Sequence, residues 1–155
     1  LSWNFNIMMP PFVVFPTNRI AHFVEVSLYF ILSSTTSEFN ALIQVCDTNT
    51  FIGARDKLML LLMYNTGVRV SELLEIKISD IHGADSINHA SVIIHGKGRK
   101  QREVPLWKTT VKYINKYLKT YPAECTDYLF INKNGDELTR SGVVYEHALI
   151  NLYLK

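Results

Sequence analysis

The sequence predicts a mainly α-helical domain carrying a small antiparallel β-sheet, an α+β arrangement. Three observations lead there. Apolar residues recur at helical intervals through 39–46, 54–65 and 109–120; two short β-prone runs flank a glycine-rich loop at 95–101; Gly67 and Asn134-Gly135 fall where regular elements should end. At 155 residues, 48% hydrophobic and 19% charged, the chain has the size of one domain and the composition of a globular one.

Residues 1–34 read as an irregular arm or a non-native leader. Pro10, Pro11 and Pro16 interrupt any regular element there, and the aromatic and aliphatic residues show no period. The apolar run at 21–32 contains His22 and Glu25 and is too short to span a bilayer, and no basic segment precedes it. Neither a membrane span nor a secretory signal is expected, and the expected location is cytoplasmic.

The domain proper is 35–155. Thr35 and Glu38 have capping-box spacing ahead of Phe39, Leu42, Ile43 and Cys46, which predicts a first helix at 37–46. A second helix at 54–65 is apolar on all sides through Leu58-Met59-Leu60-Leu61-Leu62-Met63, as befits a helix inside a core. Gly67 stops it, because glycine takes the left-handed conformation of a helix cap without steric cost. A short third helix starts near Arg69. Its buried stripe is Val70, Leu73 and Leu74, which leaves Arg69 and Glu72, three positions apart, on a common side. Val92-Ile93-Ile94 and Arg102-Glu103-Val104 then form a hairpin around the loop 95–101, with Lys97 near its tip. A helix at 109–120, a strand-like run Tyr128-Leu129-Phe130-Ile131, an Asn134-Gly135 turn and a last helix at 140–152 complete the order.

The net charge of +2 hides a strong asymmetry. Half of all the basic residues, Lys97, Arg99, Lys100, Arg102, Lys108, Lys112, Lys116 and Lys119, fall within 95–119 against the single Glu103. Such a concentration on an otherwise slightly acidic chain points to a polyanionic partner on one face. From charge alone, a solvated helix face with a charged hairpin tip reads equally well. Lys108, Lys112, Lys116 and Lys119 recur at helical spacing opposite Val111, Ile114 and Leu118. Cys46 and Cys125 lie far apart with no CxxC and no His/Cys pairing at ligand spacing, so neither a metal site nor a disulfide framework is expected, and both read as buried thiols.

An arginine directly after a glycine helix stop is held at a corner, planar and always charged, and suits bidentate contact with a phosphate. A lysine between two glycines is the opposite, a mobile donor on a backbone that a ligand can approach closely. Gly96-Lys97-Gly98 is not a nucleotide-binding P-loop, since no Ser or Thr follows the lysine and no glycine stands five residues ahead of Gly96. Each signal alone has an ordinary structural reading, Arg69 paired with Glu72 or Glu75 and Lys97 solvated.

Taken together, the run Leu62-Met63-Tyr64-Asn65-Thr66-Gly67-Val68-Arg69-Val70-Ser71-Glu72-Leu73-Leu74-Glu75-Ile76, then Asp80-Ile81, then Ile94-His95-Gly96-Lys97-Gly98-Arg99-Lys100-Gln101-Arg102-Glu103-Val104-Pro105-Leu106 resembles the catalytic domain of tyrosine recombinases of the Xer and phage-integrase type. The segments 39–47, 128–130 and 138–143 extend the resemblance over about 35–149. It implies that Arg69 is the first catalytic arginine, gripping the scissile phosphate. Glu72 is implied as the acidic residue supporting that arginine, and Lys97 as the hairpin general acid toward the departing 5′-oxygen. Arg99, Lys100 and Arg102, with Lys108 and Lys112, are the expected DNA contacts. The implied partner is a double-stranded DNA recombination site, with self-association on DNA as the family's tetrameric synapse and no membrane. The implied origin is a mobile element or a chromosome-resolution system. No cofactor is implied, because tyrosine attack conserves the bond energy in a phosphotyrosine and arginines replace a metal as electrophile.

The family pattern continues with a His-x-x-Arg segment, a further His or Trp, and the nucleophilic tyrosine, none of which occurs in this sequence. The expectation is therefore the amino-terminal part of the catalytic domain, with no nucleophile in this chain and no DNA cleavage by it alone. Tyr145 and Tyr153 lie ahead of the expected second arginine and read as core or surface aromatics. Alternatives are a non-catalytic DNA-binding remnant, a type IB topoisomerase-like fragment and a decayed gene. Sequencing the codons that follow Lys155 tests the first expectation: a His-x-x-Arg and then a tyrosine should appear there.

Overall fold

The computed structural model describes residues 35–84, 89–122 and 126–140. Four helices, α1 (Thr36–Val45), α2 (Phe51–Thr66), α3 (Val70–Leu74) and α4 (Lys108–Thr120), accompany a three-stranded sheet of β1 (Ile81–His82), β2 (Ser91–His95) and β3 (Gln101–Pro105). The strands form an antiparallel meander in the order β1-β2-β3, with Ile81 opposite Val92 and Ile94 opposite Arg102. The α+β expectation holds. The arm 1–34, Cys125, Tyr145, Tyr153 and all but Arg140 of the expected last helix lie outside the described residues.

The second helix is the core. Every residue from Ala54 to Met63 is buried, as the lack of a polar face through 58–63 requires for that part of the helix. It begins three residues before the expected start. Thr50 explains this: its hydroxyl accepts the Gly53 amide at 3.1 Å and so caps the helix, while Asp47 folds the preceding turn by accepting the Asn49 amide at 3.0 Å. The burial extends to Arg55-Asp56-Lys57, a run whose charges alone would place it at the surface. Arg55, fully buried, donates through Nε and Nη2 to Asp56 Oδ1 at 3.0 and 2.8 Å and through Nη1 to the Ile131 carbonyl at 3.0 Å. Lys57 lays its ammonium 4.8 Å from the ring centre of Tyr113. A buried charge is tolerable only when partnered in this way.

The first and fourth helices both pack on α2. Phe39 stacks on Tyr64 with ring centres 3.8 Å apart, and Val111, Ile114 and Tyr117 of α4 are fully buried, whereas Lys108, Lys112, Lys116 and Lys119 are exposed. That division is the expected amphipathic pattern of α4. Cys46 is half-buried, and burial, with the Asp56 carboxylate adding to it, pushes its thiol up to about 11. The thiol is therefore protonated and unreactive near neutral pH.

β1 is a strand that the sequence reading did not expect, and two further differences from the expected elements remain. The hairpin loop is shorter than 95–101, because His95 and Gln101 are themselves paired across the ladder. The run 128–131 forms isolated bridges, Lys77 to Tyr128 and Ile131 to Glu137, in place of a strand. Its apolar residues Leu129, Phe130 and Ile131 are nonetheless fully buried, with the Leu129 amide on the Ile76 carbonyl at 2.8 Å. No helix among the described residues is long and apolar enough to cross a membrane.

Leu62 is fully buried and Ile52 is 37% exposed, on the same helix. Leu62→Ala should cost about 3 kcal/mol in urea unfolding, and Ile52→Ala less than about 0.5 kcal/mol.

Candidate functional site

The corner between α2 and α3 is built by Asn65, Thr66 and Gly67. Thr66 turns its hydroxyl back onto the Leu62 carbonyl at 2.7 Å and accepts the Val68 amide at 3.3 Å. Gly67 caps α2 in the left-handed region, φ 62°, with its amide on the Met63 carbonyl at 2.9 Å. Asn65 locks this corner to the next layer: its Oδ1 accepts the Trp107 amide at 2.8 Å and the Thr110 hydroxyl at 3.1 Å, and its Nδ2 donates to the Pro105 carbonyl at 3.2 Å. One side chain thus joins the end of α2, the end of β3 and the start of α4.

Beyond the corner, Val68 and Val70 are buried on either side of Arg69, which therefore points outward with its side chain 75% exposed. Arg69 is the N-cap residue of α3. Glu72, one turn on, reaches back so that its Oε2 accepts the Arg69 amide at 3.2 Å and its Oε1 accepts Arg69 Nη1 at 3.3 Å. The same carboxylate accepts Arg102 Nη2 at 2.9 Å from β3. Glu72 is buried, with only 8% of its side chain exposed. The Arg102 hydrogen bond, followed by the Arg69 amide and the two guanidinium charges, holds its carboxyl below the usual carboxylate range against the opposing effect of burial.

The hairpin seats itself on this cluster. The Gly96 amide donates to the Lys100 carbonyl at 2.7 Å, and a methyl group at Gly96 would lie 3.5 Å from Glu72 Oε1 and 3.9 Å from Arg102 Nη1. Lys97, Gly98, Arg99 and Lys100 are all exposed at the tip. Gly98 and Arg99 both have positive φ, 76° and 61°, the geometry that closes a tight hairpin. Arg99 is the only non-glycine in that region among the described residues, a strain of about 1–2 kcal/mol. A second polar tie holds the hairpin base: His95 Nε2 lies 3.0 Å from Asp80 Oδ1, and its Nδ1 lies 3.0 Å from Gln101 Nε2.

The structure thus brings Arg69, Glu72 and Arg102 into direct contact and sets Lys97, Arg99 and Lys100 on the hairpin above them. Lys108 and Lys112 stand apart on α4; among the described residues, no ion pair joins them to that cluster. Sequence reasoning gave no role to Asn65, Asp80 or His95. A weak helix former at the last turn of an apolar helix was the available signal for Asn65, since such a residue favours side-chain bonding to nearby backbone. No group of His, Cys, Asp and Glu among the described residues could hold a metal ion. What the corner offers is charge: an outward guanidinium with, among the described residues, one Nη engaged, beside three exposed cations, suits a phosphate-bearing polymer.

Residues 33–149 match the phage integrase family, and the chain belongs to that family of tyrosine recombinases. It is 37% identical over 111 residues to the tyrosine recombinase XerC of Staphylococcus carnosus, covering 70% of this chain and 36% of that protein. It is 36% identical over 107 residues to XerD of Listeria monocytogenes serotype 4b, covering 65% and 35%. The chain spans about a third of the length of these relatives. Among solved structures, XerA recombinase shares the fold with a TM-score of 0.64 at 24% identity, over 77% of this chain and 42% of that one. The XerH recombinase bound to its difH substrate before cleavage aligns with a TM-score of 0.53 at 25% identity, over 74% and 35%.

Since the folded-state pKa of Glu72 is depressed, its ion pairs stabilise the fold above the unfolded value near 4.5 and that contribution disappears as pH falls through the folded value. Glu72→Gln should therefore lower stability by about 1.5–3 kcal/mol at neutral pH, a difference that closes in urea titrations carried into the acid range.

Proposed function

We propose that this chain carries the phosphate-gripping part of a site-specific DNA recombinase. The convergence of Arg69 and Arg102 on the buried Glu72, directly beneath the hairpin that bears Lys97, is the observation that supports this reading most. Arg69 binds the non-bridging oxygens of the scissile phosphate and stabilises the charge that grows there during transfer. Glu72 orients Arg69. A tyrosine phenol gives up its proton to a general base as its oxygen attacks phosphorus, the P–O5′ bond breaks, and Lys97 passes a proton to the leaving 5′-oxygen while a 3′-phosphotyrosine forms. The reaction is a transesterification and consumes no metal or cofactor.

Arg99 and Lys100 at the hairpin tip, and Lys108 and Lys112 on α4, grip the backbone of the double-stranded recombination site. The second arginine, the His or Trp and the nucleophilic tyrosine come from sequence outside these 155 residues, and strand exchange takes place in a self-associated assembly on DNA, in the cytoplasm. The XerH structures, solved on a difH substrate, support DNA as the partner. Base-specific contacts are separate from these phosphate contacts, which orient the duplex and carry no sequence information.

Incubated with a nicked recombination-site duplex, the 155-residue chain should give no covalent protein–DNA band; an adduct at Tyr145 or Tyr153 would refute the assignment. In a protein extended through the missing tyrosine, an adduct should form, and Arg69→Ala should slow it by roughly 10²–10³. A different result separates the leading alternative. If no adduct forms even in the extended protein and Arg69→Ala leaves DNA affinity nearly intact, while charge reversal at Lys108, Lys112 and Lys116 abolishes binding, the chain is a non-catalytic DNA-binding module.

A further inference from the structure

The Glu72 carboxylate does not treat its two arginines alike. Its shortest bond, 2.9 Å, goes to Arg102, while the bonds from the Arg69 amide and guanidinium are 3.2 and 3.3 Å. The strand that carries Arg102 has little else to hold it. Residues 101–103 and 105 of β3 are exposed and Val104 is half-buried, and β3 pairs with β2 alone. Apolar burial therefore does not fix the tip of the hairpin against the helical layer. The polar ties at its base do: Arg102 to Glu72 from β3, and His95 to Asp80 from β2, on residues one step apart across the ladder. Glu72 is in turn anchored in α3, whose first residue follows Arg69.

We propose that Arg102 is a positioning residue: through Glu72 it holds the Lys97 hairpin in register with Arg69, and its guanidinium serves that link rather than a DNA phosphate. The proposal rests on the functional reading above and assigns Arg102 a role different from the backbone contact that the family resemblance implies. Arg102 lies with 42% of its side chain exposed, against 75% for Arg69, because it turns inward onto a buried acid. Gly96 belongs to the same contact, since its position against Glu72 Oε1 leaves the hairpin close enough for the pair to form. A mobile general acid and a fixed phosphate clamp act on one bond only if their separation is defined, and small displacements at such sites cost orders of magnitude in rate.

Two measurements on the 155-residue chain test this. In solution NMR without DNA, Arg102→Gln should shift the Arg69 guanidinium signal and speed hydrogen exchange of the Gly96 amide about tenfold, while Leu62 and Ile114 amides keep their protection. Arg102→Lys, which keeps the charge, should restore part of both effects. Unchanged Arg69 and Gly96 signals in Arg102→Gln would overturn the proposal. In duplex binding across a salt series, Lys100→Gln should lower the slope of log affinity against log salt by about 0.9, the loss of one phosphate contact, and Arg102→Gln should leave the slope unchanged. A matching fall in slope for Arg102→Gln would make it a phosphate contact and overturn the positioning role. Failure of the unsubstituted chain to bind any duplex would refute the functional reading instead, and the NMR comparison would still decide the link between Arg102 and Arg69.

Discussion

A single buried carboxylate organises the functional end of this molecule. Glu72 accepts hydrogen bonds from an amide and a guanidinium at the α2–α3 corner and from a second guanidinium on β3. Two cations so close would repel each other if nothing lay between them. The acid turns that repulsion into a linkage of the corner to the hairpin, and its own burial is offset by the three donors that it collects. Without the acid, the hairpin would have only its ladder and the His95–Asp80 tie to set its angle.

That arrangement depends on the rigidity beneath it. The second helix is buried along ten consecutive residues, so the Gly67 cap at its end is a fixed point in the fold. Asn65 then transfers the position of that point to the end of β3 and the start of α4 through three hydrogen bonds. The sequence of support runs from apolar packing, through a polar side chain at a helix end, to charged groups at the surface. Past the last of these supports lies the exposed tip 97–100.

Much of this was legible in the amino acids because it is governed by local rules. Gly67 ends a helix for a reason that belongs to glycine, the all-apolar face of α2 could only be buried, and the alternation of lysines with Val111, Ile114 and Leu118 could only be an amphipathic helix. The family resemblance rested on the same corner and hairpin. What escaped sequence reading depends on partners far away in the chain. Arg55-Asp56-Lys57 is buried because Arg55 finds the Ile131 carbonyl 76 positions on, a contact no spacing announces. The Thr50 start of α2 was readable in principle, since a threonine at an N-cap is a local signal, but the apolar run drew the boundary inward. The Asp80–His95 tie and the two residues of β1 required the hairpin to be folded before they had any meaning.

The distribution of paired and unpaired charge separates two kinds of basic residue in one stretch of sequence. Within 95–119, Arg102 is engaged with an acid, whereas Lys97, Lys100, Lys108 and Lys112 are exposed with no ion pair among the described residues. Composition counts them together, yet their physical roles divide. A guanidinium, planar and with several donors, can serve a carboxylate with one edge and remain partly solvated, which makes it fit to join two elements. An exposed ammonium on a flexible stem fixes nothing in the fold but releases counterions when it meets a polyanion. The basic concentration that first marked this stretch thus divides into an arginine that joins two elements of the fold and exposed lysines that join none.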